Sequence, residues 1–133
     1  MEEKIIYEYC LLRYVADIER EEFVNVGLMM MSKRYRWLQT RIHLDPARMQ
    51  AMFRHPDLLT LSRQLSLFER NDVPARDLPV EERYRWMAAV KSACISTSPS
   101  HPGIIPVSAP PTRAEAEAVL ENKFRELFHR LVE

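Results

Sequence analysis

The sequence predicts an α+β fold: an antiparallel sheet of four to five strands with helices packed on it and an amphipathic helix at the C-terminus. Three observations lead there. Residues 5–43 alternate apolar, β-branched and aromatic runs with short polar turns, the pattern of a strand meander. Residues 45–94 change to the three-and-four spacing of helices, punctuated by proline. Residues 112–131 end in a capping signal followed by one continuous apolar stripe. At 133 residues the chain fits a single domain, 1–133, with an ordinary core.

The first strand covers residues 5–15. Its apolar side chains occur at both parities, so it is expected to be central and covered on both faces. Asp17 to Glu22 turns the chain into a second apolar run, Phe23 to Met31, too short for a comfortable helix. Ser32 to Tyr35 forms the next turn, and Arg36 to His43 a third strand. Asp45-Pro46 supplies an N-cap with proline at the first helical position, placing Met49, Met52 and Phe53 on one face. His55-Pro56-Asp57 interrupts that helix, because proline biases its predecessor away from the α region.

Leu58, Leu61, Leu65 and Phe68 then mark the apolar face of a second helix, and residues 71–77 read as a loop. A third helix starts near Asp77 and Pro79 and turns Met87, Val90 and Cys94 inward. The proline-rich stretch 95–111 is too apolar at Ile104, Ile105 and Val107 for a free linker, which indicates one or two edge strands. Thr112-x-x-Glu115 caps the last helix. Its core face is Ala116, Leu120, Phe124, Leu127 and Leu131, with Glu121/Arg125 and Glu126/Arg130 as i,i+4 pairs.

Composition excludes several classes. Two cysteines, Cys10 and Cys94, lie far apart in apolar segments, unlike a secreted disulfide scaffold. The N-terminus is acidic and lacks the apolar core of a signal peptide, and the longest apolar run, Val26 to Met31, is far too short to cross a bilayer. A reduced, cytoplasmic, membrane-free protein is expected. Net charge is zero but unevenly spread. Residues 1–22 hold seven acids and three bases, a balance of −4; residues 33–63 hold seven bases and two acids, a balance of +5. Such halves pair within one molecule or between two, or the basic one is a docking face.

Motifs for chemistry are sparse. Gly27 and Gly103 are the only glycines, too few for a phosphate-cradling loop. His43, His55, His101 and His129 show no metal-ligand spacing, so no metal and no cofactor are expected. Glu19, Glu21 and Glu22 read as a solvated charge run rather than acid–base machinery. Arg34, Tyr35, Arg36 and Trp37 interleave bases and aromatics, as single-strand nucleic-acid surfaces do; the alternative is a polar turn whose rings reach back onto the sheet. Arg13, Glu22 and Asn25 form a candidate polar site. Strand parity separates Glu22 from Asn25 unless a bulge intervenes, for which Gly27 is a permissive neighbour. The competing account is an Arg13–Glu22 ion pair, with Asn25 satisfying turn backbone.

The segments Tyr9-Cys10-Leu11-Leu12-Arg13-Tyr14-Val15-Ala16-Asp17 and Glu22-Phe23-Val24-Asn25-Val26-Gly27 resemble the bacterial domain-of-unknown-function family 3037, with its pattern R-Y-V-P-D followed by G-E-x-V-N-V-G. Here Ala16 stands for the proline and Glu21 for the glycine, which loosens the turn; the resemblance is specific over residues 7–31. It implies no assigned chemistry, but it does imply gene neighbours resembling the HipA persistence kinase, hence a regulatory or adaptor role. The functional expectation is a non-catalytic protein–protein interaction module, a partner of a HipA-like kinase or of itself, with Arg34, Tyr35, Arg36 and Trp37 as the interaction surface. A nucleic-acid-binding protein using the basic region 33–63 comes second, and an enzyme built on Arg13, Glu22 and Asn25 last.

Overall fold

The computed structural model describes residues 3–17, 19–53, 57–69, 77–89 and 95–133. Within them the chain runs β1 (Glu3–Asp17), β2 (Glu22–Ser32), β3 (Trp37–Ile42), α1 (Pro46–Met52), α2 (Leu58–Glu69), α3 (Val80–Ala88), β4 (Ile95–Thr97), β5 (His101–Val107) and α4 (Arg113–Leu131). The fold is α+β, as the sequence predicts. One five-stranded antiparallel sheet has the order β3-β2-β1-β4, and β5 also pairs with β1. The expected loop 71–77 lies outside the described residues except for Asp77, as do His55, Pro56, Val90 and Cys94.

β1 organises the sheet because it is long enough to carry three partners. One edge pairs with β2 from Glu8 to Asp17; the other takes β5 along Glu3–Tyr9 and β4 along Leu12–Tyr14. Ser98 bridges the gap between β4 and β5. Its Oγ accepts from the Leu11 amide at 2.8 Å and its amide donates to the Leu11 carbonyl at 2.9 Å, so no backbone group of Leu11 is stranded there.

Both faces of the sheet are covered, which accounts for the mixed parity of β1. Cys10, Leu12, Val24, Val26, Met29 and Met31 pack against α1, α2 and α3. Ile5, Tyr7, Leu11, Leu28 and Met30 pack against α4 through Ala116, Leu120, Phe124, Leu127 and Phe128. The two glycines sit where backbones or rings approach closely. A Cβ on Gly103 would stand 2.1 Å from Cζ of Tyr7, whose ring lies across it from the facing position of β1. One on Gly27 would meet Ile42 at 2.8 Å and Leu12 at 2.9 Å.

Local chemistry sets the helix starts. Asp45 Oδ1 accepts from the amides of Ala47 and Arg48, and Pro46 occupies the first turn, where its missing N–H is harmless. Thr112 Oγ1 accepts from the Glu115 amide at 3.1 Å. The surface pairs of α4 differ from those expected: Arg113–Glu117 and Lys123–Glu126 form, whereas Arg125 donates to Asn122. Long exposed side chains choose among several neighbours of nearly equal energy, so spacing alone does not select the pair. Both tight turns hold a charged residue in the left-handed region, Glu21 at φ 54° and Arg36 at φ 50°. Glycine takes that conformation without steric cost, and Glu21 is where the resembled pattern carries glycine.

Phe124 is fully buried and lies edge-on to Trp37 at 6.4 Å and stacked on Phe128 at 6.2 Å. Phe124→Ala should therefore lower the unfolding free energy by about 3–5 kcal/mol. A thermal or urea melt checks this, and an unshifted midpoint would remove α4 from the core.

Candidate functional site

The bulge expected near Gly27 is present, with a different consequence from the one expected. The register shifts between Leu12 and Arg13, so that Leu12 faces Gly27 and Arg13 faces Asn25, with Val26 as the extra residue. A second shift, between Val15 and Asp17, puts its extra residue on β1, so Glu22 to Asn25 run without an insertion along β2 and parity leaves them on opposite faces. Arg13 and Glu22 are not an ion pair. Glu22 is bonded to Arg20 at 2.8 Å across the turn, and the Arg13 guanidinium lies 4.1 Å from the centre of the Phe23 ring. Asn25 serves α4 instead: its Nδ2 donates to the Leu131 carbonyl at 3.1 Å, beside Arg48 Nη1, which donates to the Val132 carbonyl at 2.8 Å. These donors satisfy carbonyls that a helix C-terminus leaves unpaired. Sequence reasoning thus chose three residues of which the fold brings only Arg13 and Asn25 together.

The aromatic members of the expected interaction surface are interior. Tyr35 is 9% exposed and Trp37 8%, both in the layer against α4, so neither is a surface anchor. The cause is the strand pairing: Trp37 sits opposite Ser32 at the end of the hairpin, and its side chain falls on the α4 face. Arg34 and Arg36 remain exposed.

The described bases of the region are dispersed rather than gathered on one face. Lys33 is paired with Glu81, Arg41 lies over the rings of Phe124 and Phe128, and Arg48 is bonded to the end of α4. Arg34 and Arg36 open onto a cleft of about 590 Å³ between the start of β1, the β2–β3 turn and α3. Its apolar lining is Ile6, Tyr7 and Met31. Helix length explains the opening. α3 has nine residues, about 13 Å, whereas the fifteen residues of β1 extend about 50 Å. The first residues of β1 therefore emerge from under the helix.

α3 closes one side of the cleft with two ion pairs a turn apart. Glu81 holds Lys33 at 2.9 Å, and Arg85 holds Glu8 at 2.6 Å. Both lining acids are thereby engaged by bases. Lys4, Arg34 and Arg36 line the same cleft and join no ion pair among the described residues. Ile6 and its cross-strand partner Ile104 extend the apolar lining outward, 55% and 58% exposed. Sequence reasoning missed Lys4, Ile6, Glu81, Arg85 and Ile104. The alternation Lys4-Ile6-Glu8 was a readable signal for one face of β1, but its pairing with 102–106 was not.

Cys10 is fully buried, and burial pushes its thiol up to about 11, opposed by its hydrogen bond with Tyr84. Burial likewise raises the Tyr84 phenol, which also meets Ser100 Oγ at 2.8 Å. Among the described residues no group of three or more His, Cys, Asp and Glu is placed to hold a metal ion. No described helix is long and apolar enough to cross a membrane.

Arg13→Ala and Glu22→Ala should be additive in urea unfolding within about 0.5 kcal/mol, because the two side chains share no partner. A larger coupling energy would restore the ion pair. The Cys10 thiol keeps its proton in the folded state to higher pH than in the unfolded state, where it ionises near 9. Stability should therefore fall as pH rises from 9 to about 11, by up to about 2–3 kcal/mol relative to Cys10→Ala. Parallel urea midpoints of the two proteins across that range measure it, and parallel curves would place the thiol in water.

No curated protein and no solved structure matches the chain. A family model spans the segments around Arg13 and Asn25 and extends through α4. That model, described as a protein of unknown function, DUF3037, covers residues 9–132, and the chain belongs to that family.

Proposed function

We propose that the protein is a non-catalytic interaction module of the bacterial cytoplasm that docks a partner protein in the cleft between β1, the β2–β3 turn and α3. The observation that carries this reading is the combination of an apolar lining with a rim holding more bases than its own acids engage. Interfaces draw affinity from desolvated apolar contacts and orientation from complementary charge, and the cleft offers both. The described cysteine supports the same reading: the Cys10 thiol, pushed up to about 11, is protonated at neutral pH and unreactive. Dispersal of the 33–63 bases over core, helix end and ion pair takes support from a dedicated nucleic-acid face.

A regulatory role extends this reading. A kinase resembling HipA is the first partner to test, because the family resemblance implies such neighbours. The tagged protein and its Arg34→Glu/Arg36→Glu variant should be purified in parallel from the native host, with the neighbouring kinase co-expressed. The expected result is a stoichiometric partner bound by the wild type and lost from the variant, with equal melting midpoints. Identical partners on both proteins would remove the cleft from the docking surface.

A further inference from the structure

The cleft opens onto a part of the sheet that no described helix covers. Lys4, Ile6 and Glu8 share the α1–α3 face of β1 with Cys10, and their partners Pro106, Ile104 and Pro102 continue that face on β5. Lys4, Ile6 and all three β5 residues are exposed, Ile6 and Ile104 by 55% and 58%. Ser32 Oγ donates to the Ile6 carbonyl at 3.0 Å, which lays the β2–β3 turn along the opposite flank of β1.

From Lys4 to Glu8 this area runs about 13 Å, and from the turn across β1 to β5 it spans two strand spacings, about 10 Å. A single helix, about 10–12 Å wide with its side chains, matches it. α3 already occupies the same face at the Glu8 end, through Arg85. Charge narrows the choice of helix. Lys4, Arg34 and Arg36 join no ion pair among the described residues, and the lining holds five bases against two acids. The Arg36 amide donates to the Lys33 carbonyl at 3.2 Å, and Lys33 is tied to Glu81. The turn thus presents both guanidinium groups from a backbone that is already held.

We infer that the cleft takes an acidic amphipathic helix of the partner protein, its apolar stripe on Ile6 and Ile104 and its carboxylates on Lys4, Arg34 and Arg36. The inference rests on the docking role proposed for the cleft and names the chemistry of what docks. An amphipathic helix carries its apolar side chains in one stripe with charges beside it, the layout that exposed isoleucines flanked by bases complement. Guanidinium groups bind carboxylates through paired hydrogen bonds, which sets the register of the docked helix. The contact is made across the sheet face and not by strand addition. The outer edge of β5 pairs with no described strand, and Pro102 and Pro106 remove two of the donors that an added strand needs. A single-stranded nucleic acid is the weaker occupant, since the rings that would stack its bases, Tyr35 and Trp37, are buried.

The probe is a labelled synthetic peptide about four turns long, with leucines on one helical face and glutamates on the other. Fluorescence anisotropy should show saturable binding to the wild type that weakens with added salt, and circular dichroism a gain of helix in the complex. Arg34→Glu/Arg36→Glu and Ile6→Ser/Ile104→Ser change only exposed side chains. Each should weaken binding about tenfold or more with an unshifted melting midpoint. A peptide of the same composition with the helical spacing scrambled, and one with lysine for glutamate, should bind about tenfold more weakly than the probe. Absence of saturable binding, equal binding of either control peptide, or indifference to both variants overturns the inference. If the probe fails yet the wild type captures a partner protein that the Arg34→Glu/Arg36→Glu variant loses, the docking role stands and the acidic helix is excluded. Binding of a labelled single-stranded oligonucleotide in place of the probe, lost from the same variant, would overturn both.

Discussion

The structure depends on burying β1 and β2 from two sides at once. Cys10 and Leu12 point into one layer, Leu11 and Leu28 into the other, and all four are nearly or fully shielded from water. A strand apolar on both faces is unstable until both are covered, so the chain must deliver helices to each. α1 to α3 cover one face and α4 crosses the other. The C-terminal end of α4 is then fixed by Asn25 from β2 and Arg48 from α1, tying together elements that are remote in sequence.

Coverage is unequal, and the candidate site follows from that inequality. Each strand residue advances the chain more than twice as far as each helical residue, so short helices cannot roof a fifteen-residue strand. α4, with nineteen residues, shields Ile5 and Tyr7 on its side. On the opposite side α3 reaches β1 and the hairpin turn through the Arg85–Glu8 and Glu81–Lys33 pairs, and Ile6 and Ile104 stay in contact with solvent. The surface ion pairs of α3 are worth little individually. Their effect is positional: they hold the hairpin turn and β1 against the helix and use up the acids that would otherwise neutralise the rim.

The bulge at Val26 illustrates how one extra residue redistributes polar groups. It sets Asn25 opposite Arg13 on the α4 face. Arg13 Nε and Asn25 Oδ1 are both buried without a hydrogen-bond partner among the described residues. Arg13 gains its principal contact from the Phe23 ring, and Asn25 from a helix carbonyl. Asn25 thus joins the first hairpin to the last helix, while Arg13 packs within the hairpin.

The sequence by itself determined the elements. Period, β-branching and caps placed three strands, four helices and the edge strands near 95–111, because these signals are local energies of a few neighbouring residues. It also determined that β1 is central, since apolar residues at both parities have no other stable place. Only the tertiary structure decided which charges meet and which rings are exposed. Tyr35 and Trp37 are aromatic residues in a basic turn, and nothing local says that their side chains fall beneath the sheet rather than above it. Glu22 is bonded to its near neighbour Arg20 across the turn rather than to Arg13 on the facing strand. The cleft joins Lys4, Arg34 and Arg85, residues separated by up to 81 positions, through strand pairing and helix placement. Exposed charges have weak and nearly equal options, so their partners are set by where the strongly driven burial of the core leaves them.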